Sequence, residues 1–466
     1  MTIDAIRRQL DQGLTTSKEI VLRYLERIAR YDAHLNSLAD LNHEAILIAE
    51  ALDEERKKKG PRSPLHGVPI VIKDNIFTRD TMRTTANSRV FDNFYAPFDA
   101  YLVTTLREAG AIILAKANCS EFAYFMAMGT MPSGFGSMHG QVKHPYDESV
   151  DPLGSSTGSA VAVAADLAPA SIGTETNGSL MSPAQQNGVV SLKPTLGLVS
   201  RSGIVPISLS QDTAGPMAKT VKDAAMLLQG MIGKDPDDVA THRTPDWSVD
   251  YASACETAVR GMKIGLLNFT NHENGEEEKT IMAEAKRVFE AAGVQTTPID
   301  HVYDLPNNLL TLTHDFKRDM NAFLARIPHA PVNSLHAIIE ANQANPRRHL
   351  PYGQQNLLQA QATDERLTNP AYLEQRIKEM GAVNAFLARF DKHDLDAIVT
   401  PKINGYAPVG GLPSLIVPAK KMPDKNPKGL LFIGRPFTEA TLFALAHHYE
   451  QKTDHQSVPT SDHVNP

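Results

Sequence analysis

Three short stretches carry residues that could do chemistry together: Lys73 closing "VPIVIK", the doublet Ser155-Ser156 in "GSSTG", and Ser179 in "GTETNGSL". A free lysine is a poor base near neutral pH, but Val68, Ile70, Val71 and Ile72 supply apolar surroundings that would disfavour its charged form. A neutral Lys73 could take a proton from Ser155, Ser155 could take one from Ser179, and Ser179 could attack a carbonyl carbon. The backbone N–H groups of Thr176, Asn177, Gly178 and Ser179 would then face the developing oxyanion, with glycine at 178 leaving room for the approach. Each piece also has a plainer reading. Asn-Gly is a common turn dipeptide, and a lysine at a strand end often reaches solvent.

The elements that must position these residues are legible in outline. "TTSKEIVLRYLERIARYD" reads as a helix opened by a capping box, Thr16 with Glu19, and "DEERKKKG" as the solvated end of another, closed at Gly60. From Val68 short Val- and Ile-rich runs alternate with helical ones: "VPIVIKDN", "AIILAKAN", "PASIGTE" and "VVSLKP" as strands, "DAYLVTTLREAG" and "SAVAVAADLA" as helices. "MKIGLLNF" at 262–269 and "DLDAIVTP" at 394–401 are the clearest later strands, within a polar, mostly helical stretch from 221 onward. Alternation of this kind predicts an α/β fold with a largely parallel or mixed sheet.

Several function classes have no support. The sequence contains no G-x-x-x-x-G-K-[ST], no strand-linked G-x-G-x-x-G and no H-E-x-x-H, so neither a nucleotide cofactor nor a metal is expected. The net charge of -7 argues against nucleic acid as a partner. Two cysteines, Cys119 and Cys255, outside any C-x-x-C pair fit a reducing compartment. With no run of 18 apolar residues and no apolar leader segment, the expectation is a cytoplasmic protein, monomeric or homodimeric, away from membranes. "GSSTG" matches the nucleophile-elbow pattern, but the polar, proline-broken "HPYDESVDPLG" before it is not the strand an elbow requires.

Along nearly its whole length the chain resembles the amidase signature enzymes. The likeness runs from "LTTSKEIVLRYLERI" and "PLHGVPIVIKDNI", through "GSSTGSAVAVAADLAPASIGTETNGSL" and "LVSRSGIVPISLSQDTAGPMA", to "LFIGRPFTEATLFALAHHYE". The resemblance implies that Lys73 is the base, Ser155 a bridging serine held by a cis peptide bond, and Ser179 the nucleophile that accepts the acyl group. It implies one domain over 1–466, with a large mixed sheet covered by helices on both faces. Within it, 1–60 would be N-terminal helices, 61–220 the signature core, 221–390 a variable helical lid, 391–456 the C-terminal core and 457–466 a tail. Glu175, Asn177 and Met181 stand where many members have Asp, Gly and Arg.

The "GTET-x-GS" form looks like the bacterial peptide-amidase subgroup, which implies release of ammonia from carboxyamides, C-terminal peptide amides included, without a cofactor. The alternative within the family is the glutamine-hydrolysing subunit, or a scaffold, of a tRNA-dependent amidotransferase. A complete Lys73, Ser155 and Ser179 set favours the hydrolase, because a decayed scaffold has no chemical need for all three. Phe122, Tyr124, Phe125 and Met128, clustered before the catalytic turn, could form an acyl-binding wall or be ordinary packing.

Overall fold

The computed structural model describes residues 1–245, 248–267, 275–299, 305–424, 426–453 and 455. The predicted tail at 457–466, and the last two residues of "MKIGLLNF", lie outside them.

Thirteen strands form among the described residues: β1 (Leu38–Leu41), β2 (Pro69–Lys73), β3 (Ile112–Ala117), β4 (Phe135–Gly136), β5 (Gly140–Gln141), β6 (Ala170–Glu175), β7 (Val190–Lys193), β8 (Thr213–Ala218), β9 (Lys263–Leu267), β10 (Gln295–Ile299), β11 (Ala397–Thr400), β12 (Ser414–Pro418) and β13 (Gly429–Ile433). Eleven of them make one mixed sheet, ordered β1-β3-β2-β6-β8-β7-β12-β13-β11-β9-β10, and β4 pairs with β5 alone. β2 lies parallel to both β3 and β6, whereas β6 runs antiparallel to β8. The mixed sheet and its helical cover agree with the predicted fold class.

Strands β2, β3, β6 and β7 are buried at every position, so they read as continuous apolar or small-residue runs without alternation. The helix Ser17–Leu35 opens on the predicted capping box: Thr16 Oγ1 accepts from Glu19 N, and the Glu19 carboxylate accepts from Thr16 N. The helix Ala45–Lys59 ends at Gly60 as expected. Several strands escaped the sequence reading, β1 and β8 among them. β1 is a four-residue edge strand inside the stretch read as wholly helical. β8, "TAGPMA", carries Gly215 and Pro216, which strands normally exclude. It is tolerated because the β7 ladder against β8 spans only Val190↔Ala218 and Ser191↔Met217, ending before Pro216.

The buried apolar residues form two clusters, a large one with Ile70, Ile72, Ile113, Ile172, Leu192 and Phe432 among many others, and a smaller one with Leu180, Met217, Phe386, Ile398 and Ile416. No helix among the described residues is long and apolar enough to cross a membrane.

Candidate active site

Lys73 ends β2 and is completely buried. Its Nζ lies 2.8 Å from Ser155 Oγ, 2.9 Å from Thr174 Oγ1, 3.1 Å from Ser156 Oγ and 3.4 Å from the Thr174 carbonyl. Burial pushes the ammonium down to about 8, against the weaker pull of Cys119, Asp212 and Glu175. A neutral amine has two N–H donors and one lone pair. With four oxygens around it, where the lone pair points depends on which oxygens can only accept.

Ser156 is committed. Its hydroxyl donates to the Thr174 carbonyl at 2.9 Å, while its Oγ receives the Thr174 N–H at 3.1 Å. Toward Lys73 it can therefore only accept. Thr174 Oγ1 also receives the Asn75 carboxamide N–H at 3.0 Å. Among the described residues Ser155 Oγ has no other side-chain partner, so its hydroxyl is free to turn its proton toward Lys73, whereas that of Ser156 is not. The structure thus separates two serines that the sequence leaves side by side.

Both serines reach one lysine from the loop that enters the helix Thr157–Ala164, which Ser156 caps. The Gly154–Ser155 peptide bond is cis, and the Ser155 carbonyl accepts from Ser120 N at 3.1 Å. No strand precedes the doublet, in keeping with the rejected nucleophile elbow. Gly173 on β6 admits this approach: a Cβ there would meet Ser156 Cβ and Oγ, and Leu180 Cδ2, at 2.7 Å.

β6 runs directly into the turn Thr176–Leu180, followed by the helix Met181–Asn187. Gly178 adopts φ +83°, which favours glycine, and turns the chain so that Ser179 sits at the helix entrance. The Glu175 carboxylate accepts the Leu180 and Met181 N–H groups at 2.7 and 3.1 Å, satisfying that helix start. By contrast, the N–H groups of Thr176, Asn177, Gly178 and Ser179 have no acceptor among the described residues. Four successive free amides make an anion-binding concavity. Ser179 is 8% exposed, its carbonyl accepts from Ser156 N at 3.2 Å, and its hydroxyl makes no hydrogen bond among the described residues.

The turn is held from outside by residues the sequence reading did not single out. Thr176 Oγ1 donates to Asp212 Oδ1 at 2.5 Å, and Asp212 Oδ2 accepts from the Ile207 and Ser208 N–H groups. Burial pushes the Asp212 carboxyl up to about 7. Gln211 donates to the Thr176 carbonyl at 2.9 Å and accepts from Asn308 Nδ2 at 3.1 Å. Their partners lie 36, 35 and 97 positions apart in the chain, beyond any local pattern.

Beside the turn opens a cavity of about 450 Å3, lined by Asn177, Asn307, Asn308, Lys402, Asn404 and Tyr406 among others. None of the four residues considered for the acyl wall lines it. Phe122 and Phe125 are 2% and 1% exposed, packed respectively against Phe91 and in a stack on Phe316. Tyr124 donates to the Met131 carbonyl at 2.9 Å, and Met128 is 36% exposed. Three consecutive residues, Phe122 to Tyr124, have positive φ, which turns Ala123 toward a smaller cavity walled by Asn75, Thr174, Thr176 and Asp212.

The comparisons with known proteins agree with this geometry. A family model described as Amidase matches residues 19–408. The peptide amidase of Stenotrophomonas maltophilia, a solved structure, is 38% identical with a TM-score of 0.91, each chain being covered to 99%. A probable amidase of Arabidopsis thaliana is 36% identical over 461 residues, 97% of this chain and 90% of its own. A glutamyl-tRNA(Gln) amidotransferase subunit from Halorhodospira halophila is 34% identical, covering 98% of both chains. With a family match over most of its length and relatives of this identity from end to end, the chain belongs to the amidase family and is a hydrolase of amide C–N bonds.

Proposed function

We propose that the protein releases ammonia from carboxyamides through an acyl-enzyme on Ser179, with Ser155 and Lys73 moving the protons. The observation that carries this reading is the wholly buried Lys73 with Ser155 Oγ 2.8 Å away and the adjacent Ser156 hydroxyl committed to the Thr174 carbonyl. Neutral Lys73 accepts the Ser155 proton as Ser155 accepts that of Ser179, and Ser179 Oγ bonds to the carbonyl carbon. The negative charge that gathers on the carbonyl oxygen is met by the free N–H groups of 176–179, a key donor of this kind contributing about 3–4 kcal/mol to the barrier reduction. The proton returns through Ser155 to the amide nitrogen, the C–N bond breaks, and ammonia leaves. Water then enters by the same route, giving its proton through Ser155 to Lys73 as its oxygen bonds to the acyl carbon; the bond from that carbon to Ser179 Oγ breaks as the proton returns through Ser155 to Ser179, and the acid is released. The contact between the Ser155 and Ser179 hydroxyls forms with substrate bound, as catalytic hydrogen bonds commonly tighten in that complex.

Peptide amides are the substrate class we favour. The Stenotrophomonas maltophilia peptide amidase supports it, as does a cavity in the size range of sites for molecules larger than a simple amide. Segment 305–308 walls that cavity, which supports reading 221–390 as a lid. Two free, buried cysteines support a cytoplasmic setting. The amidotransferase relative from Halorhodospira halophila supports a second reading, glutamine hydrolysis within a larger assembly.

Purified protein without added partner proteins distinguishes the two. Ammonia release from a peptide C-terminal amide should exceed that from free glutamine in kcat/KM, and Ser179→Ala should lower the peptide-amide rate by at least about 10^4-fold while the protein stays folded. Equal turnover of glutamine would move the assignment to the second reading. Near-normal ammonia release by folded Ser179→Ala would end the mechanism.

A further inference from the structure

The cavity beside the nucleophile turn contains four asparagines in different situations. Asn308 donates to Gln211. Asn307 Oδ1 accepts the Leu309 N–H at 2.9 Å. Asn404 accepts from Tyr406 N at 3.2 Å and donates to the Lys402 carbonyl at 3.3 Å. Asn177 is exposed, and its carboxamide makes no hydrogen bond at either end among the described residues. It stands two positions before Ser179, next to the Gly178 turn, on the wall of the cavity.

We propose that Asn177 determines specificity by pairing its carboxamide with the first peptide group on the acyl side of the substrate, so that N-acylated amino-acid amides and peptide amides are preferred to simple aliphatic amides. This rests on the reading of Ser179 as nucleophile and of the cavity as the acyl site.

The chemistry of the match is direct. A carboxamide presents an acceptor oxygen and two N–H donors on one planar group, and a peptide group offers one donor and one acceptor. A simple aliphatic amide has nothing on its acyl side to meet either end. A site built to hydrogen-bond a substrate group discriminates against the analogue lacking it, because the protein group is then left without its partner. The spacing is held as well. Gln211 ties the Thr176 carbonyl to Asn308, so the turn bearing Asn177 and the wall at 305–308 are linked through one side chain. A substrate backbone entering between them meets Asn177 at a fixed distance from the nucleophile.

The test uses three substrates of one acyl shape: N-acetyl-leucinamide, 4-methylpentanamide, which lacks only the acetamido group, and N-acetyl-N-methyl-leucinamide, whose acyl-side peptide group has lost its N–H. The wild-type enzyme should favour the first over each of the others by about tenfold or more in kcat/KM, the scale of one to two directed hydrogen bonds. In Asn177→Ala and Asn177→Gly the ratio of N-acetyl-leucinamide to 4-methylpentanamide should fall about tenfold, whatever either substitution does to the common rate. Asn177→Asp, which keeps an acceptor and loses the donor, should give an intermediate ratio. A wild-type enzyme indifferent to N-methylation, or a ratio unchanged in the variants, overturns the proposal. Loss of the underlying mechanism would show separately, as ammonia release that survives Ser179→Ala.

Discussion

Lys73 and Lys116 lie on adjoining strands of the same sheet, both completely buried, and burial pushes both down to about 8. In the parallel β2–β3 ladder Lys116 stands opposite Ile72, one position from Lys73, so the two side chains leave the sheet on opposite faces. On the Lys116 face the ammonium donates to the Ile76 carbonyl and, at 2.7 Å, to Thr84 Oγ1. On the Lys73 face the amine meets a serine whose proton is uncommitted, and β6 carries the chain from Thr174 to the concavity at 176–179 within five residues. Lys193, at the end of β7, repeats the lesson: it is buried, pushed down to about 8, and among the described residues donates only to the Pro194 carbonyl. Desolvation prepares a lysine to act as a base, and its neighbours decide whether there is anything for it to deprotonate.

The comparison breaks most sharply by substitution. Lys73→Met keeps length and apolarity while removing the base, and kcat should fall by about 10^3-fold, within the range for loss of a positioned general base. Lys116→Met should leave the rate within about threefold. Its cost should appear in stability, because the Ile76 carbonyl and Thr84 hydroxyl lose their donor, about 1–3 kcal/mol before the relief of no longer burying a charge. Ammonia release together with urea unfolding curves on both variants checks this. A Lys116→Met enzyme as inactive as Lys73→Met would mean that both faces serve the reaction.

The next effect is in the wild-type pH profile. Lys73 must be unprotonated to accept a proton, so the rate should fall as pH drops below about 8, by roughly 50-fold between pH 8 and pH 6 if the lysine alone governs that limb. Lys116→Met should leave the limb in place, since that amine faces away from the serines. The buried lysines also act on stability with a definite sign. Their folded values lie below the ordinary 10.5, so between about 8 and 10.5 the unfolded chain binds more protons, and their contribution to stability rises with pH across that window. A rate limb that moves in Lys116→Met would assign it to the wrong lysine.

How much of this was legible depended on range. β2, β3, β6 and β7 are apolar or small-residue runs bounded by turn residues, and local composition suffices to find them. β8 was hidden because Gly215 and Pro216 contradict strand propensity, and only its place between β6 and β7 makes it one. Lys73, Ser155 and Ser179 stand out through long motifs. Asp212 and Gln211 lie within one of those motifs, yet their partnership with Thr176 is a tertiary fact that no spacing encodes. Phe122 and Phe125 show the limit of composition: an aromatic cluster beside a catalytic turn reads the same whether it faces a ligand or the core, and the left-handed run at 122–124 settles which side each ring takes.

The smallest effect lies within the serine doublet, where the two faces of the comparison shrink to two adjacent hydroxyls. Ser155→Ala removes the proton carrier and should cost about as much as Lys73→Met. Ser156→Ala removes an acceptor for Lys73 and the links to the Thr174 N–H and carbonyl, all of which orient the amine without carrying its proton. A loss of about tenfold in kcat is expected, the scale of one or two neutral hydrogen bonds. The sign of a second readout separates orientation from mere structural damage. An acceptor beside an ammonium favours the charged form, so removing Ser156 Oγ should lower the Lys73 pKa further and move the acidic limb of the rate profile to lower pH. A damaged but otherwise unchanged site would lose rate with the limb where it was. If Ser156→Ala is as inactive as Ser155→Ala and shows no such shift, the hydrogen-bond assignment that distinguishes the two serines is wrong, and the doublet must share the proton.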